Sequence, residues 1–257
     1  MKIVSLNLRY ARSAEENTQK EREPLISAFL QDCRPVSVGF QETEPFWRER
    51  LDLVLEGYRR AQPQLMTKNY IYYDVRQARL VNHGVIWLSE TPDLPSKGYG
   101  SKFYISATWA ILELLDSGRQ YVHINTHLDA FNLDIREKEI PMVMNLADRF
   151  STQGLPVVIT GDFNSLDDST IYAAVLARGY LDAKRQASEA SQMGTFNGFG
   201  RYESPAYHGP IDYFFINPGR FHVTRYDVTD RWQGEFMSDH NALCLEAELT
   251  EPLAGGD

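Results

Sequence analysis

The chain has 257 residues, 43% of them hydrophobic and 12% aromatic, and a formal net charge of -9. That composition excludes a disordered chain and supports a sizeable core. With its Lys and Arg scattered and no basic run, it argues against tight, non-specific binding to long duplex DNA, which needs clustered cations to displace counterions.

The first ten residues alternate Ile3, Val4, Leu6 and Leu8 with Ser5, Asn7 and Arg9. That is a strand over 3–8 rather than an export signal, so cytoplasmic residence is expected. Residues 15–33 carry Leu25, Ile26, Phe29 and Leu30 at helical spacing, with Pro24 marking a kink or restart. A strand over 36–40 runs directly into Gln41-Glu42. A helix over 45–55 follows, with Thr43 as its cap and Pro45 in its first turn. Strands are expected at 70–74, 84–88, 107–115 and 121–126, the last running into Asn125-Thr126-His127-Leu128-Asp129. Residues 132–150 place Ile135, Ile140, Val143, Met144 and Leu146 on one helical face. The strand over 157–160 ends in Thr160-Gly161-Asp162-Phe163-Asn164, and Asp168 or Ser169 caps a helix carrying Ile171, Ala174, Val175 and Leu176. Residues 193–210, rich in Gly and aromatics, read as a loop. Strands over 211–216 and 242–249 flank Ser238-Asp239-His240, and the tail at 250–257 is expected to fray.

Strands and helices alternate throughout, and no Pro/Gly/Ser linker divides them. The reading is one α/β domain over 1–257. No apolar run approaches the length needed to cross a bilayer, so no membrane insertion is expected. Cys33 and Cys244 lie among apolar neighbours and read as buried thiols rather than a disulfide or a metal pair.

Polar groups recur where strands run out, the position at which an α/β scaffold displays reacting groups. Asp162 and Asn164 are two apart, so in extended backbone they share a face while Phe163 packs behind. A carboxylate there can bind a cation or take a proton from water, and the amide can orient the attacking oxygen. Gly161 permits close approach of another backbone or a ligand. His127 and Asp129 repeat the two-apart arrangement. His123, earlier in the same strand, is expected in the interior or at an edge. Asp239 and His240 suit a cation and a phosphoryl oxygen respectively, and Asp212 is the candidate to orient the imidazole. Glu42, Asp129, Asp162, Asp212 and Asp239 would repel one another if gathered, and a divalent cation would relieve that repulsion. Asn7, inside an apolar strand, needs hydrogen-bond partners if buried. Phe196, Phe199, Tyr202 and Tyr207 either wall a substrate pocket or pack their own loop.

Eight segments in order, from Ser5-Leu6-Asn7 and Gln41-Glu42 through Trp87-Leu88-Ser89-Glu90-Thr91-Pro92, Ala107-Thr108-Trp109-Ala110, 125–129, 160–164 and Ile211-Asp212-Tyr213 to Ser238-Asp239-His240, give the chain a resemblance. It resembles the endonuclease/exonuclease/phosphatase superfamily of exonuclease III-like and DNase I-like enzymes, and most closely its Mg²⁺-dependent, deadenylase-like branch. The resemblance implies a four-layered α/β sandwich, two mixed β-sheets face to face with helices outside. It implies that Asn7, Glu42 and Asp239 hold Mg²⁺, with Mn²⁺ able to substitute. It implies catalytic roles for Asp162 and Asn164 at the attacking water, for His127 and His240 at the phosphate, and for Asp212 behind His240. Asp129 and Phe196 are the expected substrate contacts, and a monomer is expected. Trp87, Glu90, Trp109 and Arg136 are expected as core and support.

Asp74, Ile105 and Ala130 stand where the branch often has Arg, Lys or His, although Arg136 matches a common Arg. These departures remove positive charge from the substrate rim. They favour a phosphatase or phosphodiesterase acting on a small organic phosphate. A nuclease on single-stranded RNA or DNA is the alternative, and a non-catalytic binding module on the same fold is the third reading.

Overall fold

A computed structural model of the chain describes residues 1–10, 17–63, 66–202 and 209–250. The strands and helices run β1 (Lys2–Asn7), α1 (Gln19–Cys33), β2 (Ser37–Gln41), α2 (Pro45–Val54), β3 (Tyr58–Arg60), β4 (Tyr70–Asp74), β5 (Ala78–Trp87), β6 (Ser106–Leu114) and β7 (Gln120–His127). Then follow α3 (Leu133–Ser151), β8 (Val157–Asp162), α4 (Thr170–Ala177), β9 (Leu181–Asp182), α5 (Ala183–Gln186), β10 (Glu189–Ala190), β11 (Asp212–Ile216), β12 (Phe221–Thr229), β13 (Arg231–Trp232), β14 (Glu235–Phe236) and β15 (Ala242–Leu249).

One mixed sheet has seven strands in the order β10-β12-β15-β1-β2-β4-β3, and the other has six in the order β5-β6-β7-β8-β11-β9. Leu112, Tyr121, Val158 and Phe214 of the second sheet pack against Ile3, Ile71, Leu243 and Leu245 of the first. Outside the first sheet, Ile26, Phe29 and Leu30 of α1 and Trp47 and Leu51 of α2 cover Val4, Leu6 and Phe40. Outside the second, Val143, Met144 and Ala147 of α3 and Ile171 and Val175 of α4 cover Val122, Ile124 and Ile159. The four-layered α/β sandwich follows from these two apolar faces per sheet.

Toward one edge the layer between the sheets becomes polar. Tyr121 donates to Ser37 Oγ at 2.9 Å, and His123 bridges Ser37 at 2.9 Å and Thr160 at 2.8 Å. Asn125 Nδ2 donates to Phe40 O at 2.8 Å, and Gln41 Nε2 donates to Asn125 Oδ1 at 2.7 Å. Burial holds the His123 imidazole down to about 3, so it is neutral and internal, as expected. The sheets approach closely here: a Cβ on Gly39 would fall 2.5 Å from Thr160 Oγ1.

Several expectations change in detail. Helix α2 is capped by Glu44 rather than Thr43, without a side-chain cap bond, because Pro45 at its start dispenses with one N–H. Ser169, not Asp168, caps α4, accepting from Tyr172 N. Helix α1 runs through Pro24 without a break and begins with a Thr18–Glu21 capping box; residues 15 and 16 lie outside the described residues. Strand β12 was not expected, because a bulge between Val223 and Arg225 interrupts its alternation. Residues 251–257 lie outside the described residues, while Thr250 donates to Arg220 O at 3.0 Å. Cys244 is buried and Cys33 half-buried, their thiols free and 3.5 Å apart.

Candidate active site

The strand ends meet because of register. His127 at the end of β7 lies opposite Asp162 at the end of β8, and Asp162 lies opposite Asp212 at the start of β11. Three reactive side chains thus occupy one row across three adjacent strands. On the facing sheet Asn7 closes β1 beside Gln41 of β2, and Glu42 follows with φ 56°, turning its side chain at the strand end. Asp239 and His240 lie just before β15, which pairs with β1.

The second sheet can bring Asp162 so close to His127 only because residue 161 is glycine. Its φ is 146°, and a Cβ there would lie 1.9 Å from Thr126 O.

Asp162 is 1% exposed, and its two oxygens differ. Oδ1 accepts the backbone N–H of Asn164 at 2.9 Å, which fixes the carboxylate's rotation. Three groups converge on Oδ2: Asn7 Nδ2 at 3.0 Å, His127 Nε2 at 3.4 Å and His240 Nε2 at 3.7 Å. Asn164 has φ 48°, and its amide donates to Leu128 O at 3.0 Å, tying the two strand ends together.

Behind His240, Nδ1 lies 2.9 Å from Asp212 Oδ2. Burial pulls the imidazole down, but the charges of Asp212 and Asp162 and the hydrogen bond to Asp212 outweigh it and raise it to about 10. Burial also pushes the Asp212 carboxyl up, and His240 opposes that. The pair shares one proton, and the neighbouring Asp162 and Asp239 favour the imidazolium form. The Thr195 hydroxyl accepts the N–H of Asp212 at 3.1 Å, holding the start of β11. Phe196 forms a backbone bridge with His240 and sets its ring 4.9 Å from the imidazole, edge-on.

Two oxygen-rich groups merit testing as cation sites. Atoms of Asp162, Asp212 and His240 lie within 4.8 Å of one another. There the short Nδ1–Oδ2 contact already uses Asp212 and one imidazole nitrogen, so a proton does the work of a cation. The second group is Glu42 and Asp239. Arg9 donates to Asp239 Oδ2 at 2.7 Å, so a cation already stands against that carboxylate. Tyr10 N donates to Glu42 Oε2 at 2.8 Å, and Glu42 Oε1 receives a long 3.3 Å contact from Asn7 Nδ2. Carboxylate oxygens with room for water fit Mg²⁺. Asn7 Nδ2 bridges Glu42 and Asp162, and its Oδ1 accepts Arg9 N at 2.9 Å while keeping a second lone pair.

Asp129 is tied into the loop that follows β7. Oδ2 accepts Ser101 Oγ at 2.7 Å and Oδ1 accepts the N–H groups of Phe131 and Asn132 at 2.9 Å, leaving the residue 3% exposed. Arg136 supports the same loop through Asp129 O at 2.8 Å, and Trp87 is core, both as expected. Phe199 lies under the guanidinium groups of Arg9 at 5.0 Å and Arg22 at 5.6 Å; Tyr207 lies outside the described residues.

Three supporting residues escaped the sequence reading. Arg9 is two residues from Asn7, and the alternation argument used for Asp162 and Asn164 applies equally to that pair. Arg22 of α1 is 2% exposed and holds Leu8 O at 2.6 Å and Met237 O at 3.1 Å; burial lowers it to about 10, which leaves it charged. Asn197 receives nothing distinctive from its spacing, yet its backbone N–H holds Asp239 O at 2.8 Å.

The family model for the endonuclease/exonuclease/phosphatase family matches residues 5–240. The chain belongs to that family. It is accordingly a phosphoester hydrolase on an α/β sandwich. Its fold is shared with an endonuclease/exonuclease/phosphatase family protein from Bacteroides thetaiotaomicron, at 25% identity and TM-score 0.86 over 98% of each chain. A mannosyl-6-phosphatase from the same organism is 26% identical, with TM-score 0.86 over 96% of this chain and 99% of its own. A family protein from Bacteroides vulgatus reaches TM-score 0.88 at 23% identity, over 96% and 98%. No curated protein matches. Among the described residues, no helix is long and apolar enough to cross a membrane.

Proposed function

We propose that the chain is a Mg²⁺-dependent phosphatase or phosphodiesterase acting on a small organic phosphate. The observation that carries this reading is the convergence of Asn7, His127 and His240 on Asp162 Oδ2, with Oδ1 tied off by Asn164 N. Oδ2, held by Asn7 and faced by both imidazoles, is the oxygen that orients a water and takes its proton. His240, held charged by Asp212, and His127 face the same point and bind the phosphoryl oxygens. The water oxygen bonds to phosphorus in line as the ester oxygen departs, with no covalent enzyme intermediate. Glu42 and Asp239 would hold the metal, with Asn7 beside them; when bound, Mg²⁺ or Mn²⁺ offsets charge on the phosphoryl oxygens.

The net charge of -9 and the likeness to a mannosyl-6-phosphatase support a small ester over a polynucleotide. The test is Mg²⁺-dependent product release from single-stranded RNA, abasic duplex DNA, a sugar phosphate and a phosphoinositide. Turnover of the sugar phosphate is expected, with a loss of about 10²-fold to 10⁴-fold in Asp162→Ala. Turnover confined to an oligonucleotide would replace this reading with a nuclease, and a fully active Asp162→Ala would overturn the mechanism.

A further inference from the structure

Phe131 is 80% exposed, more than any other large apolar side chain among the described residues. It does not stand alone. Phe103, 43% exposed, stacks on it with centroids 5.9 Å apart and planes 26° from parallel. Tyr104, 42% exposed, follows, with its ring edge-on to Trp87 at 5.9 Å and Lys97 Nζ 5.4 Å from its centroid.

Both stacked rings are anchored from beneath by one carboxylate. Phe131 N donates to Asp129 Oδ1, Ser101 Oγ donates to Asp129 Oδ2, and Phe103 N donates to Ser101 Oγ at 3.1 Å. Asp129 N in turn donates to Glu139 Oε2 at 2.8 Å in the interior of α3. A solvent-facing Phe contributes little to stability, so a buried polar network that fixes the backbone under two stacked ones calls for another use. The location supplies one. Phe131 is four residues beyond His127, and Leu128 between them donates to Asp162 O at 2.9 Å and accepts from Asn164 Nδ2.

We propose that Phe103 and Phe131 form the platform on which the ring of a sugar phosphate stacks while its phosphate lies against His127, Asp162 and His240. The proposal rests on the hydrolase reading above and names its substrate class. A sugar ring has one face of C–H groups that suits an aromatic surface and a rim of hydroxyls that stay in water. The platform offers one such face, on the loop that leads on from His127 at the end of β7. A polynucleotide would need a basic track beyond it, and the chain has no basic run.

Steady-state kinetics of the Mg²⁺-supplemented full chain test this, with mannose 6-phosphate, glycerol 3-phosphate and adenosine monophosphate as substrates. In Phe131→Ala the ratio of kcat/KM for mannose 6-phosphate to that for glycerol 3-phosphate should fall about tenfold, the size of one aromatic stack, with the loss in KM. Phe131→Trp should restore it. An unchanged ratio overturns the platform, and a fall seen with adenosine monophosphate alone overturns the sugar assignment. If the wild type hydrolyses none of the three, the small-ester reading fails. The platform is then decided by saturation-transfer NMR on mannose 6-phosphate. Transfer from aromatic protons to the sugar C–H groups, lost in Phe131→Ala, supports it; no transfer in the wild type overturns it.

Discussion

Glu139 carries a prediction with a computable size. It is 0% exposed inside α3, with Oε2 accepting Asp129 N and Oε1 without a hydrogen-bond partner among the described residues. Burial raises its carboxyl from 4.5 to about 7, and the hydrogen bond from Asp129 N and the charge of Arg136 only partly oppose that. Below pH 4.5 the folded and unfolded chains both hold this proton, so the group is neutral to stability. Between pH 4.5 and 7 the unfolded chain releases it while the folded chain keeps it, so stability falls as pH rises. Above pH 7 the loss levels off at about 3 kcal/mol. Glu139→Gln keeps the oxygen that accepts Asp129 N and removes the titration. Urea denaturation of both proteins at pH 5 and pH 8 measures the difference at each pH. The variant should gain about 2–3 kcal/mol on the wild type between those two values. Any fixed cost of the new amide cancels in that comparison. An identical difference at both pH values would refute the argument.

Asp212→Asn removes the acceptor behind His240, so kcat should fall about 10²-fold to 10⁴-fold with little change in KM. The imidazole should also titrate lower, and a pH–rate profile would show activity declining at a lower pH on the alkaline side. Gly161→Ala, with its Cβ driven into Thr126 O, should cost at least about 2 kcal/mol in a urea melt. Its residual activity should fall too, because relief of the clash moves His127 from Asp162. Cys33 lines a surface cavity of about 460 Å³, and its sulfur is 3.5 Å from Cys244. Diamide should join them, removing two alkylatable thiols and stabilising the fold by about 2–4 kcal/mol. Two thiols still titratable after that treatment would contradict the geometry.

Most of the proposed site was legible because strand ends are marked by a change from apolar alternation to polar residues. Asp162, Asp212, His127 and His240 announce themselves in that way. What they touch does not follow from local pattern. That Asp162 gathers three partners on one oxygen depends on the parallel β7–β8 register, which brings His127, and on the facing sheet, whose β1 end and β15 approach bring Asn7 and His240; both are long-range choices. Asp129 has the same two-apart spacing from His127 that Asn164 has from Asp162. Its carboxylate nevertheless turns inward, because Ser101, 28 residues away in sequence, meets it there. Arg9 and Arg22 were hidden for a related reason: a basic residue in a strand end or helix reads as solvated until the carbonyls and carboxylates that enclose it are known. Strand β12 was missed because a bulge sets its buried Val223 and Tyr226 three residues apart, which strict alternation does not pick out.

The polar layer between the sheets acts as a key cut to a single lock. The groups of the proposed site come from two halves, with Asn7 and Glu42 on one sheet and His127, Asp162 and Asp212 on the other. Two purely apolar faces could slide by a residue at modest cost, since one aliphatic contact replaces another. Ser37, His123, Thr160, Asn125 and Gln41 cannot slide, because every misalignment strands buried donors and acceptors at about 1–3 kcal/mol each. The toothed seam therefore indexes the halves of the site against each other. Trimming its teeth to hydrophobes of equal size would leave a folded protein whose two half-sites no longer agree on where the phosphate belongs.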